Sequence, residues 1–295
     1  MKVDFHCHST ASDGTLPPAG LARLAAEGSF AAFALTDHDN MGGVASAASE
    51  LPPGIRFFPG VELSVEPGDG FDKFHLLGLG VDPSSPRMAD ILARILEGRR
   101  ERNRRIAANF AAIGIEIPPD EIAGYANGEI LARPHFARWL VDRGFSKSVK
   151  DAFDKYLLPD SPAETRCHEE RWHPSREDAF AAIHAAGGIC VMAHPKYWRR
   201  AWRSAGVDFP AAERELAALK EMGLDGLEAV YQANTGEENV GFSRIAAKLG
   251  LLKTAGSDFH GANKPGIAFG MEVSGDFIRP ALDRLQDAFV LPREI

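Results

Sequence analysis

The sequence predicts an α/β protein whose sheet is a barrel or a barrel-like parallel sheet. Short apolar runs typical of strands alternate along the chain with amphipathic helical patterns. Ionisable residues follow most of these apolar runs, at the strand ends where α/β folds place their chemistry. The alternation stops between about residue 116 and residue 170, where only helical patterns occur. This stretch predicts a helical insertion in the α/β body.

The composition indicates an ordinary folded protein. The chain has 295 residues, of which 45% are hydrophobic and 25% charged, so it is long enough to bury a substantial core. Its formal net charge of -8 argues against a broad basic surface for long or duplex nucleic acid. A small anionic substrate remains compatible, because bound cations and a few arginines reverse the potential locally.

The cysteines and the N-terminus predict a reducing, cytoplasmic location. Cys7, Cys167 and Cys190 form neither a disulfide framework nor a C-x-x-C pair. Histidines and an aspartate occupy the N-terminus, where a secretory signal would need an apolar segment. No apolar run approaches the roughly 20 residues of a membrane span, so no membrane partner is expected.

The first strand is predicted at residues 3–8. Side chains alternate along a strand, so His6 and His8 project from one face about 7 Å apart while Cys7 faces the other side. Two imidazoles at this spacing can bind one metal ion, and Asp13 in the following turn offers a carboxylate oxygen.

The next strands also carry ionisable residues near their ends. They are predicted at residues 30–35, 55–58 and 73–81, with one helix at residues 19–27 before the first of them and another at residues 43–50 before the second. His38 follows the first of these strands, Glu62 follows the second, and His75 lies near the start of the third.

The second half of the chain repeats the pattern. Strands are predicted at residues 188–193, 226–230 and 252–255, and helices at residues 176–186, 213–222 and 239–249. His194, Asp258 and His260 follow strands, as do Lys196 and Asn234, which we interpret as candidates for ribose or base contacts.

A long helix is predicted at residues 88–113, and it contains a run of arginines. Most such runs are solvated helix faces, but Arg99 and Arg102 stand three residues apart on the side of Ile106, which points them inward. Within the insertion, helices are predicted at residues 132–144 and 149–156. Arg133 and His135 lie at the start of the first, where a helix can bind an anion.

The strand ends together offer nine imidazole and carboxylate ligands. This donor set, without thiolates, suits zinc, manganese or iron. The number is too large for one ion, and a bridging glutamate could join two. The nine are His6, His8, Asp13, His38, Glu62, His75, His194, Asp258 and His260.

Six motifs of the chain resemble those of the polymerase and histidinol phosphatase (PHP) family, in the family's order. They are D-F-H-C-H-S-x3-S-D-G at residues 4–14, T-D-H-D at 36–39, G-V-E at 60–62, H-L-L-G at 75–78, A-H-P at 193–195 and G-S-D-F-H at 256–260.

The resemblance implies a distorted seven-stranded β/α barrel at residues 1–98 and 171–295, with a helical insertion at residues 99–170 that caps the active site. It also implies three ions, Mn²⁺ above all, with Zn²⁺, Fe²⁺ or Mg²⁺ as alternatives. The ligand sets would be His6, His8, Glu62 and Asp258 for the first ion, Glu62, His75 and His194 for the second, and Asp13, His38 and His260 for the third. Asp4 and Asp37 would orient imidazoles.

Within the family, R-x-x-R at residues 99–102 and R-P-H at 133–135 resemble the branch of nucleoside 3′,5′-bisphosphate phosphatases and a 5′-to-3′ RNA exonuclease. The expected substrate is a nucleotide phosphate monoester or a short 5′-phosphorylated RNA. Arg99, Arg102, Arg133 and His135 would then bind a second phosphate.

The expected reaction is phosphate-ester hydrolysis, in which cations activate water and neutralise the phosphoryl oxygens. Asp13 is expected to be essential, and His194, His260 or a water would protonate the leaving group. Three alternatives stay open: a histidinol-phosphatase-like enzyme, a metal-dependent amidohydrolase and a non-catalytic sensor. The sequence does not determine the oligomeric state.

Overall fold

The computed structural model describes residues 1–68, 74–126 and 131–286. The strands in these ranges are β1 (Lys2–Asp4), β2 (Ala32–Leu35), β3 (Arg56–Val65), β4 (Phe74–Leu79), β5 (Ile189–Met192), β6 (Gly226–Tyr231), β7 (Leu252–Gly256) and β8 (Met271–Glu272). They form one sheet in the order β7-β6-β5-β4-β3-β2-β1-β8.

The sheet curves into a nearly closed barrel because β1 also meets the end of β7. The Phe5 amide donates to the carbonyl of Ala255, and the Asp258 amide donates to the carbonyl of His6. Helices surround this sheet, which confirms the predicted barrel-like α/β fold. The expectation of a parallel sheet is wrong at β4, which pairs antiparallel with β3 and β5, and at β8, which pairs antiparallel with β1.

The helices of the described residues are α1 (Pro18–Glu27), α2 (Val44–Ser49), α3 (Pro86–Ala112), α4 (Pro119–Ala123), α5 (Arg133–Asp142), α6 (Val149–Ala152), α7 (Arg176–Ala185), α8 (Arg200–Ala205), α9 (Phe209–Glu221), α10 (Gly236–Leu249) and α11 (Gly275–Gln286). α6 continues into a wider helical turn over Phe153–Leu157. None of the helices in the described part of the chain is both long and apolar enough to cross a bilayer.

Internal contacts divide the chain into two compact units. Unit 1 comprises Met1–Leu92 and Pro174–Ile295, and unit 2 comprises Ala93–His173. Val3, Leu77 and Val191 are fully buried in the barrel core of unit 1, together with Ile278 and Leu282 of α11, a helix that the sequence patterns did not predict. Unit 2 has a core of its own, centred on Phe110, Phe136, Trp139, Leu140 and Leu157.

Two predicted strands end elsewhere in the structure. The strand predicted at residues 55–58 runs from Arg56 to Val65, so Glu62 lies inside β3 rather than after it. Pro59 does not end it, because the missing amide falls where β3 changes its partner from β2 to β4. β1 is shorter than predicted, although residues 5–8 continue in extended form along the segment after β7. Lys73, the first residue of another predicted strand, lies outside the described residues.

Candidate metal centre

The predicted ligands gather at one edge of the barrel. His6 and His8 follow β1, His38 follows β2, His194 follows β5, and Asp258 and His260 follow β7. His75 lies at the start of β4, and it reaches the same edge because β4 runs antiparallel to its neighbours. Glu62 points to this edge from within β3, and its backbone amide donates a hydrogen bond to the carbonyl of Asp37.

Glu62 occupies the middle of the centre, and five imidazoles surround its two oxygens. His6, His8 and His38 place a ring nitrogen 3.2, 3.1 and 3.0 Å from Oε2, and His75 and His194 place one 2.9 and 3.0 Å from Oε1. The glutamate is fully buried. It therefore has the position that the bridging role requires.

Asp258, Asp13 and His260 complete the arrangement. Asp258 Oδ1 lies 3.4 Å from His8 Nε2 and 3.6 Å from His6 Nε2, while Asp13 Oδ1 lies 3.4 Å from His260 Nε2. Around this centre, four sets of described residues hold donor atoms within 4.8 Å of one another, and together they contain all nine candidate ligands. They are His6, His8 and Glu62; His6, His194 and Asp258; His38, Glu62 and His75; and His8, Asp13, His38 and His260. The predicted third set lies within one of them, whereas the predicted first and second sets are each divided between two.

The donor atoms fit divalent cations. His6 Nε2, both ring nitrogens of His8, His38 Nδ1 and Glu62 Oε2 are buried without a hydrogen-bond partner. Buried polar atoms nearly always have a hydrogen-bond partner, so ring nitrogens and a carboxylate oxygen that face one another without a hydrogen bond are suited to bind a cation. Imidazole nitrogens and carboxylate oxygens without a thiolate suit zinc, manganese or iron.

Burial and charge together set the ionisation of the centre. Burial alone would raise the pKa of Glu62, but His38, His6 and His75 outweigh it and hold the pKa well below its usual range. Burial lowers the pKa of His38 to about 3. Burial also lowers the pKa of His8, but Asp258 and Glu62 outweigh it and raise the pKa to about 10. The carboxylate of Glu62 is thus ionised at neutral pH, the form that binds a cation.

The backbone of the centre is strained. Among the described residues, four residues other than glycine have positive φ, and three of them belong to this site: Asp39 (52°), His194 (29°) and Asp258 (58°). Such conformations persist only where the surrounding structure holds them, and they cluster at functional sites. The strain here points the side chains of His194 and Asp258 into the centre.

Asp4 and Asp37 hold loops rather than imidazoles. Asp4 accepts hydrogen bonds from the amides of His6, Ser257 and Gly270 and from the Ser257 hydroxyl. Asp37 accepts from the Ser9 amide and from the hydroxyls of Ser9 and Ser12. The expectation that these carboxylates orient rings is therefore replaced by a role in fixing the backbone beside the ligands.

Two residues near the centre were missed by the sequence reasoning. Glu228 in β6 lies 2.9 Å from His6 Nδ1. Lys264 forms an ion pair with Asp258 Oδ2 and lies 3.0 Å from the Tyr231 hydroxyl, which donates to the same Asp258 oxygen. A carboxylate within an otherwise apolar strand was the available signal for Glu228. No comparable signal marks Lys264.

Lys196 and Asn234 lie in a polar network after β5 and β6. Lys196 Nζ donates to the carbonyl of Ala233 and to Glu238 Oε2, both at 2.8 Å. Asn234 donates to Asn239 at 3.0 Å, and its own Oδ1 is buried without a hydrogen-bond partner. Their contact with ribose or base stays a prediction.

In unit 2, the arginine run divides by burial. Arg99 and Arg102 are only 7% and 5% exposed. Arg104 and Arg105 instead pair at the surface with Glu97 and Glu101, as on an ordinary solvated helix face. Arg99 and Arg102 therefore point inward, as their spacing predicts.

The two buried arginines belong to a group that we call the basic cluster: Arg99, Arg102, Arg133, His135 and His168. Burial lowers the pKa of Arg133, and the charge of Arg99 lowers it further, against the opposing effect of Glu170. Burial and the charges of Arg133 and Arg102 also lower the pKa of His168, although Glu170, whose Oε1 lies 3.3 Å from its Nε2, raises it. His135 Nδ1 accepts from the Ala132 amide at 3.0 Å and so caps α5. The sequence reasoning did not include His168.

Comparison with known proteins places the chain in a family. A model of the PHP domain matches residues 4–109. The chain is 37% identical over 267 residues to a 3′,5′-nucleoside bisphosphate phosphatase of Chromobacterium violaceum, covering 90% of this chain and 89% of the relative. It is 32% identical over 262 residues to the 5′-3′ exoribonuclease Rnm of Salmonella typhimurium, covering 87% and 84%.

The fold has a similar counterpart among solved structures. A protein described as an amidohydrolase from Chromobacterium violaceum, with bound sulfate and no metal, superposes with a TM-score of 0.78 at 34% identity, covering 96% of this chain and 95% of the other. Motifs, centre and relatives agree, and the chain belongs to the PHP family of metal-dependent phosphoesterases.

Proposed function

We propose that this protein removes the 3′-phosphate from nucleoside 3′,5′-bisphosphates, for example converting adenosine 3′,5′-bisphosphate to AMP, and that it also acts on short 5′-phosphorylated RNA. The observation that carries the proposal is the 37% identity, across 90% of the chain, to a relative named for the first activity. The similarity to an exoribonuclease supports the second.

In this proposal the centre holds three ions, with Mn²⁺ as the native metal. His6, His8, Glu62 and Asp258 would hold the first ion, Glu62, His75 and His194 the second, and Asp13, His38 and His260 the third. Such cations, when bound, supply charge neutralisation at the phosphoryl group and activation of water. The buried unpaired nitrogens of His6, His8 and His38 support this assignment.

The leaving 3′ oxygen needs a proton, and we assign its transfer to His194, to His260 or to a bound water. The side chains of His194 and His260 are 10% and 12% exposed, so both rings reach solvent, whereas those of His6 and His8 are fully buried. Asp13 Oδ1 lies 3.4 Å from His260 Nε2.

The basic cluster is proposed to bind the second phosphate of the substrate. Buried guanidinium groups have lost hydration that a phosphate can replace with paired, charge-assisted hydrogen bonds. Arg99, Arg102, Arg133 and His135 would bind this phosphate, and Lys196 and Asn234 would contact the ribose or base. A substrate with one phosphate lacks the group that the cluster recognises.

The decisive assay measures phosphate release by the manganese-loaded protein from adenosine 3′,5′-bisphosphate, AMP, histidinol phosphate and a 5′-phosphorylated RNA oligomer. We expect rapid release from the bisphosphate, with AMP as a stable product. Preference for histidinol phosphate would contradict the proposal. Failure on all four substrates would favour the amidohydrolase or the sensor alternative, and hydrolysis of an amide substrate would then distinguish the two.

Asp13→Ala is the matching variant for this assay. We expect it to fold and to lose most of its turnover, because Asp13 faces His260 and His8 across the third ligand set. Full activity in the purified variant would remove Asp13 from the site.

A further inference from the structure

Glu228 lies in β6 and uses both carboxylate oxygens to contact the metal centre. The side chain is fully buried, as are those of its neighbours in the strand, Leu227 and Ala229. Oε1 lies 2.9 Å from His6 Nδ1, and Oε2 accepts a 2.5 Å hydrogen bond from the backbone amide of His194. One carboxylate therefore joins two proposed ligands that follow different strands, β1 and β5.

The first contact determines which nitrogen of His6 faces the ligands. A carboxylate accepts hydrogen bonds, so a proton on Nδ1 satisfies the contact with Glu228 and leaves the Nε2 lone pair available. Nε2 is the atom that lies 3.2 Å from Glu62 Oε2 and 3.6 Å from Asp258 Oδ1. Glu228 thus sets both the tautomer and the direction of the ring.

The second contact holds a strained residue. His194 has φ 29° and ψ 62°, a left-handed conformation that strains a residue other than glycine. Its amide is buried and would lack an acceptor without Glu228 Oε2. In this conformation His194 Nε2 lies 3.0 Å from Glu62 Oε1.

Gly256, at the end of β7, leaves the room for this arrangement. A Cβ atom at this position would lie 2.1 Å from Glu228 Oε1 and 2.5 Å from the Cβ of His6. Any side chain there would separate the two residues. The glycine of the G-S-D-F-H motif is thus explained by the contact between Glu228 and His6.

We propose that Glu228 is a positioning residue that presets His6 and His194 for cation binding. The inference rests on the metal centre of the proposed function. Loss of the carboxylate would leave both ligands present but misdirected, so cation affinity should fall even though no ligand has been removed.

The test is the substitution Glu228→Gln, which keeps the size of the side chain but replaces one acceptor by a donor. Whichever way the amide turns, its NH₂ group faces either the His6 Nδ1 proton or the His194 amide proton. We expect Mn²⁺ affinity, measured by titration of the metal-free protein, to fall about 10- to 100-fold. The melting temperature of the metal-free protein should fall no more than in the control variant.

Asp225→Asn is the matched control. Asp225 comes directly before β6. Its Oδ2, like the Glu228 carboxylate, contacts one imidazole, at His184 Nε2, and one backbone amide, that of Cys190, both at 2.8 Å. These three residues could themselves hold a metal ion, so Mn²⁺ is chosen because a cysteine thiolate is a poor ligand for it. The control should bind Mn²⁺ like the wild type.

The outcomes separate the inference from the proposed function. Unchanged Mn²⁺ affinity in Glu228→Gln would overturn the inference, as would an equal loss in Asp225→Asn. If Glu228→Gln binds Mn²⁺ more weakly and the wild-type protein releases no phosphate from a bisphosphate, the inference is supported and the proposed function is overturned.

A spectroscopic measurement covers the case in which Glu228→Gln does not fold. In zinc-loaded wild-type protein with ¹⁵N-labelled histidine, NMR should detect a slowly exchanging Nδ1 proton that is absent from His6→Asn. A His6 ring protonated on Nε2 would overturn the inference, because Glu228 would then not direct Nε2 to the ligands.

Discussion

Glu62 shows why one residue can determine the geometry of the whole centre. Its two oxygens face five imidazoles from four different segments, and its backbone amide and carbonyl bond to Asp37 and Asp39 on either side of His38. The backbone of Glu62 thus holds the segment that carries His38, while its side chain contacts all five rings. A change at Glu62 would therefore disturb five of the nine candidate ligands at once.

Arg133→Ala tests the basic cluster. We expect kcat/KM for adenosine 3′,5′-bisphosphate to fall about 10- to 100-fold, because hydrogen bonds between charged groups are worth about 1.5–3 kcal/mol. Bound metal, measured by elemental analysis, should not change. Arg138→Ala is the control, since Arg138 lies on the same helix, α5, with an exposed side chain. Equal losses in both variants would contradict the assignment.

His168 predicts a dependence of stability on pH. Burial lowers its pKa below the usual 6.5, so the unfolded chain binds a proton that the folded protein does not take up until lower pH. The free energy of unfolding should therefore fall as the pH drops below about 6.5, by at most about 1.4 kcal/mol per pH unit from this group.

Urea unfolding of wild type and His168→Asn at pH 7.5 and pH 5.5 measures this contribution. The wild type should lose more stability between the two pH values than the variant does, because other titrating groups contribute equally to both proteins. An identical pH dependence in the two proteins would show that His168 titrates normally.

At the level of elements, capping and pairing explain where helices and strands end. Thr235 and Glu238 form a reciprocal capping box at the start of α10, and Gly250 ends that helix in a left-handed conformation. β3 and β4 run antiparallel because only residues 66–73 join them, fewer than the dozen or more that a parallel crossover needs. This connection brings His75 to the edge where Glu62 lies.

Asp208→Ala tests one of these caps. Asp208 Oδ1 accepts a hydrogen bond from the Ala211 amide at 3.0 Å at the start of α9, and Asp208 is not among the candidate ligands. We expect the free energy of unfolding to fall by about 1 kcal/mol, with phosphatase activity unchanged. Asp208→Asn keeps the acceptor, so its free energy of unfolding should fall by a few tenths of a kcal/mol at most. A similar loss in both variants would indicate that charge rather than capping is responsible.

At the level of the whole molecule, the proposed ligands all belong to unit 1, while unit 2 has a separate core. Metal ions bind the folded state of unit 1, so their removal should destabilise the barrel. At a free metal concentration of 100 times Kd, one site stabilises by about 2.7 kcal/mol.

Hydrogen exchange with and without a chelator measures this effect in each unit. We expect β1, β5 and β7 to lose protection when metal is removed, and α5 in unit 2 to keep it. Added Mn²⁺ should restore the protection. A uniform loss across both units, or none in the barrel, would contradict the placement of the metal in unit 1.

The sequence by itself determined the alternation of strands and helices, the positions of the nine candidate ligands and the inward direction of Arg99 and Arg102. These features depend on local periodicity and on which residues follow each strand, and both can be read within short segments.

Only the tertiary structure decided the antiparallel β4, the core contribution of α11 and the contact of Glu228 with His6. His6 and Glu228 are separated by 222 positions, and Lys264 reaches Asp258 only because the loop after β7 folds back. Strand orientation and such contacts depend on which distant segments become neighbours, and that follows from burial of the whole core rather than from any local pattern.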